Sequence, residues 1–77
     1  FTEMHLAAAV ASQGRLREAE RLYRKVIRRQ AAKLGEDNKF TLLSLHGLAV
    51  ILHHLGRNVE SERIHRRVLA ARRRMDG

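Results

Sequence analysis

An all-α fold of four antiparallel helices, arranged as two stacked helix-turn-helix units, is what this 77-residue sequence predicts. Three observations predict it. The chain matches itself at an offset of 42 residues. It holds no proline and only five glycines, which leaves long stretches free to be helical. Its apolar residues recur at the three-and-four spacing of helix faces, without the strict alternation of strands.

The self-match is densest between Gly14–Val26 and Gly56–Val68. Gly14 falls on Gly56, Arg15 on Arg57, Glu18 on Glu60, Glu20 on Glu62, Arg21 on Arg63, Arg24 on Arg66 and Val26 on Val68. Leu6 and Ala7 fall on Leu48 and Ala49, and Gly35 falls on Gly77. Ten identities in 35 overlapping positions, with exchanges such as Leu22/Ile64 and Ile27/Leu69 between them, make the chain two copies of one supersecondary unit. The first unit is expected over about 1–35, a linker over 36–38, and the second unit over about 39–77.

The elements follow in order. Leu6, Ala7 and Val10 share one face of a helix over Thr2–Gln13, which Gly14 ends because glycine tolerates the left-handed backbone of a helix stop. Leu16–Leu34 is the clearest amphipathic helix. Its apolar stripe is Leu16, Ala19, Leu22, Tyr23, Val26, Ile27 and Leu34, with Arg17, Arg21, Arg24, Lys25, Arg28 and Arg29 outside it. Glu20→Arg24 and its copy Glu62→Arg66 are i,i+4 pairs in the favourable order. Gly35 ends that helix, and Asn38 is the expected N-cap of the next. The third helix, Lys39–Leu55, is apolar on more than one side and must be covered by several neighbours. Gly56 stops it. The fourth, Asn58–Met75, repeats the second, with Val59, Ile64, Val68, Leu69 and Met75 apolar.

Composition narrows the chemistry. Without cysteine there is no disulfide and no thiolate metal site. The five histidines hold no H-x-x-x-H pair within a helix, so neither a metal nor any other cofactor is expected. No phosphate-binding glycine loop or paired nucleophile and base is present, and the glutamates are accounted for by helix pairing, so the chain reads as no enzyme. The apolar tract Phe40–Leu55 is too short and too often interrupted to span a bilayer. Phe1 is not an initiator methionine, no signal peptide is visible, and a cytoplasmic piece of a longer array is the expectation. Net charge is +8. All the basic residues but Lys39 lie within Arg15–Lys33 and Arg57–Arg74, which places the charge on the second and fourth helices.

The spacing Leu6-Ala7, Val10, Gly14, Ala19, Tyr23, Val26, echoed by Leu48-Ala49, Leu52, Gly56, Ser61, His65, Val68, resembles the tetratricopeptide repeat (TPR) family. The 42-residue period and the linker Leu34–Thr41 resemble its kinesin light chain-like class, which is common in NOD-like signalling ATPases. The resemblance implies a fragment of a right-handed α-solenoid in which Ala7, Ala19, Ala49 and Ser61 sit where helices A and B of a unit approach closely. It also places His65 in a packed aromatic slot. The proline that often closes helix B is absent, since Ala31 and Arg73 stand there, so that helix is free to run on. Family members of the kinesin type often place asparagine pairs before the Leu-Ala of helix A, where this chain has Met4-His5 and His46-Gly47.

By that resemblance the function is a protein–protein interaction scaffold, offering its helix A surface to a partner protein or peptide. The residues expected there are Met4, Ala8, Ala11 and Ser12 with His46, Val50, His53 and His54. Electrostatic binding of nucleic acid or acidic surfaces through Arg66, Arg67, Arg72, Arg73 and Arg74 is the alternative, and a merely solvated basic face stands beside it. Two units also leave two apolar ends. Phe1, Leu6 and Val10 are expected on one and Ile64, Val68, Leu69 and Met75 on the other, so self-association is expected as well.

Overall fold

In the computed structural model, residues 2–76 are described, and side chains from 3 to 75. Phe1, expected on an open end, and Gly77, the repeat mate of Gly35, lie outside the described residues. Four helices follow one another, α1 (Thr2–Ser12), α2 (Leu16–Leu34), α3 (Lys39–His54) and α4 (Asn58–Asp76), with no strand among the described residues. Each packs on its predecessor, and α3 also touches α1. The connections are short, which turns each helix back along the last.

The two hairpin turns are built identically. In the first, Gly14 N–H donates to Ala11 O at 2.9 Å and Arg15 N–H to Val10 O at 3.3 Å. In the second, Gly56 N–H donates to His53 O at 3.0 Å and Arg57 N–H to Leu52 O at 2.9 Å. This is the Schellman arrangement, and it demands the positive φ of +84° and +83° that the two glycines adopt. The linker between units closes differently. Asn38 caps α3 by accepting from Phe40 N–H at 2.9 Å, and the buried Thr41 hydroxyl donates to Gly35 O at 2.9 Å.

The sequence marks α3 as apolar nearly all round, and it is the centre of the fold. Leu42, Leu45, Leu48, Ala49, Ile51 and Leu52 are all buried. One core cluster joins Leu48, Ile51 and Leu52 to Ala7, Val10, Ala19 and Tyr23 of the first unit. A second joins Leu42 and Leu45 to Val68 and Ala71 of α4. Ala7, Ala19 and Ala49 are fully buried and Ser61 nearly so, its hydroxyl donating to Ala49 O at 2.7 Å. Small residues at these four positions let each pair of helices approach closely. Another buried hydroxyl, Ser44, donates to Gln30 Oε1 at 2.7 Å and lies 3.2 Å from Met4 Sδ.

Several expected placements are corrected. Val10 and Val68 are not on open ends: at 6% and 5% exposure both belong to the core, because the facing hairpin helix covers them. Ile64 is half-buried against both clusters. His65 is not packed. Its repeat mate Tyr23 is buried because α3 lies over it, whereas among the described residues no helix covers the same place on α4. Leu34 and Val59, counted in apolar stripes, are exposed.

Candidate functional site

Helices α1 and α3 meet, whereas among the described residues the backbones of α2 and α4 stay apart. The A helices therefore line one side of the slab, and the B helices splay along the other. Comparing each residue with its repeat mate shows which positions this leaves open. Ala8 and its mate Val50 are both exposed, and so are Ser12 and its mate His54. Leu43, one turn before Gly47, is 44% exposed on the same stripe of α3. The result is an uncharged strip of small, aliphatic and imidazole groups running across both units.

The other four residues expected on that strip fall elsewhere. Met4 and Ala11 pack into the core beneath α3, so they belong to the contact between units. Their mates on α3, His46 and His53, are exposed. His46 meets His65 edge-to-face at 5.4 Å, and His53 Nδ1 lies 3.0 Å from Asn58 Oδ1. No three metal-ligating side chains converge among the described residues.

On the B side some of the basic side chains sit in ion pairs and the others do not. Arg66 pairs with Glu62, Arg29 with Glu3, and Arg74 with Asp37 at 3.1 Å. Arg67 lies 3.7 Å from Glu36. Arg72 and Arg73 are exposed, with no carboxylate paired to them among the described residues. Tyr23, the phenol ring of the B helices, is buried beneath α3 and offers no face on which a base could stack.

The sequence did not foretell a four-membered lattice between the units. Arg24 reaches Glu60 at 2.7 Å while also holding Glu20 at 2.9 Å. Arg57 reaches Glu20 at 2.9 Å and Glu60 at 2.6 Å. Hydrogen bonds from Arg24 first, and from Arg57, hold the Glu60 carboxyl below the usual carboxylate range. The same bond to Glu60 is the main cause that raises Arg24. Since the folded-state value of Glu60 is depressed, its stabilisation is complete above the unfolded value of about 4.3 and is lost as pH falls through the folded value. An acid titration of stability should therefore show a small loss on this limb that Glu60→Gln removes. An identical acid limb in that variant would mean that Glu60 contributes nothing to stability through the lattice. The clue in the sequence was the identity of charged surface positions, Arg15/Arg57 and Glu18/Glu60, where a solvated face has no need to repeat itself.

The tetratricopeptide repeat family model matches residues 2–74. The chain belongs to the tetratricopeptide repeat family. No curated protein and no solved structure matches it. Tetratricopeptide repeats are in general non-catalytic helical units that bind proteins or peptides. No helix among the described residues is long and apolar enough to cross a membrane.

Proposed function

We propose that this pair of tetratricopeptide repeats is a scaffold that grips a partner peptide or helix along the strip formed by Ala8, Ser12, Leu43, Val50 and His54. The observation that carries it is the segregation of surface character. The A side is continuous across both units and free of charge along that strip, whereas the paired and unpaired arginines lie on the B side. An uncharged strip with exposed aliphatic groups favours burial of a partner's apolar side chains over long-range attraction. The kinesin light chain-like class of array, drawn from the repeat length, is consistent with such a role within a larger signalling protein. Self-association through the open ends, with Leu6 on α1 and Leu69 and Met75 on α4, is the second part of this reading.

Selection of peptides from a displayed library, followed by chemical-shift mapping, tests the strip. Bound peptides are expected to perturb Leu43, Val50 and His54, and Val50→Glu should weaken them by about tenfold, the 1.4 kcal/mol scale of one lost apolar anchor. Selected peptides whose footprint avoids α3 entirely would refute the assignment.

A further inference from the structure

The junction between the two units has a molecular signature, and both halves of that signature recur unused at the ends of the chain. Within the chain, α2 offers Glu20 and Arg24 to Arg57 and Glu60 at the start of α4. The repeat mates of Glu20 and Arg24 are Glu62 and Arg66, which are exposed and, among the described residues, ion-paired only with each other. The mates of Arg57 and Glu60 are Arg15 and Glu18, an ion pair at 2.7 Å within α2's first turn that reaches no other unit among the described residues, Arg15 donating besides only to Gln13. The apolar contacts follow the same rule. Leu48, buried at 2% exposure, and Ile27, which packs against its cluster, meet at the internal junction. Their mates are Leu6 and Leu69, and these are 54% and 50% exposed on opposite ends.

We propose that a second copy of this chain stacks head to tail on the first, its α1 and α2 seated on α3 and α4 in the register by which α3 and α4 sit on α1 and α2. Glu62 then meets the second copy's Arg15, and Arg66 meets its Glu18, while Leu69 covers Leu6. A copy of this chain fits there because each surface complements the other end and not itself. Such a contact is heterologous and propagates instead of closing. It is also looser than the internal junction. Where Tyr23 lies against Gly47, and where Met4 and Ala11 are covered, the terminal positions hold His65, His5, His46 and His53. Polar rings in those places weaken the contact and make the association reversible. The proposal rests on reading the chain as a self-associating scaffold.

Sedimentation velocity over a concentration series tests both levels. The wild-type mass should rise above the 8.9 kDa monomer with concentration. Exchanging the tail charges, Glu62→Arg with Arg66→Glu, keeps the i,i+4 pair within α4 but sets like charges against the next copy. Two exposed pairs turned from attraction to repulsion should lower the association constant by about tenfold. Adding Arg15→Glu and Glu18→Arg to the same chain restores complementarity and should restore association. Association that persists unchanged in the tail exchange, or fails to return in the combined exchange, overturns the register proposed here while leaving self-association intact. A wild-type chain that stays monomeric at every concentration overturns both. Circular dichroism of each variant confirms that the helices form, and helix loss in the exchanges is answered with Glu62→Gln/Arg66→Gln, for which a smaller drop is expected and an unchanged constant counts against the proposal.

Discussion

Alanine in place of Gly47 destabilises the fold, although alanine is the better helix former. In an open helix the exchange stabilises by about 1 kcal/mol, because glycine gives up more backbone freedom on folding. Here a Cβ built on Gly47 comes within 2.7 Å of Tyr23 Cε1 and Cζ and 2.9 Å of its hydroxyl oxygen. The tyrosine ring has little freedom to retreat: it is only 7% exposed, it belongs to the main core cluster, and burial raises the pKa of its hydroxyl. Overpacking of this kind costs about 1–3 kcal/mol, more than the propensity gain, and valine should cost more than alanine. The decisive experiment is a double-mutant cycle by denaturant unfolding at one fixed protein concentration, since assembly would otherwise shift the midpoints. Gly47→Ala should lower stability in the Tyr23 background and be neutral or stabilising beside Tyr23→Leu. Equal effects in both backgrounds would mean that the ring moves aside freely.

That contact also shows where the sequence runs out. Element boundaries were legible because their causes are local: Asn38 next to a helix start, and glycines at 14, 35 and 56 whose positive φ ends each helix. The central position of α3 was legible too, since a helix apolar on several sides has to be surrounded. The same property hid its open face. When Leu43, Val50 and Ile51 are all apolar, periodicity cannot say that Ile51 is buried while the other two are exposed. Nor does a period reveal which neighbour covers a residue. Met4 and His46 hold equivalent positions, yet α3 covers the first and no described helix covers the second. The lattice of Arg24, Glu20, Arg57 and Glu60 was hidden for a related reason: i,i+4 pairing already accounts for Glu20 with Arg24, and nothing local shows that both also reach the next unit. Exposure of the candidate site's residues was thus legible in part: Ala8, Ser12, His46, Val50, His53 and His54 are exposed as expected, whereas Met4 and Ala11 lie beneath α3.

Leu52→Ala should unfold more of the molecule than any change on its surface. Leu52 is fully buried at the meeting of both units, in one cluster with Ala7, Val10, Ala19 and Tyr23. The slab measures 37 × 27 × 16 Å between Cα extremes, the depth of two helix layers at their usual spacing of about 8–10 Å, so little core exists to absorb a loss. Truncating a buried leucine removes its transfer energy and leaves a cavity, together about 2–5 kcal/mol. A chain of this length has roughly 4–12 kcal/mol in total at ordinary per-residue stability, so the substitution removes a large share of it. At about 4–8 °C per kcal/mol for domains of this size, the melting temperature should fall by more than about 10 °C. Leu43→Ala on the same helix supplies the contrast, since its side chain is 44% exposed and should change melting by only a few degrees. Thermal melts of the two variants at matched concentration read the difference directly. Similar shifts for both would mean that α3 is turned differently in solution, with Leu43 inward, and that the open strip assigned to Leu43 and Val50 is misplaced.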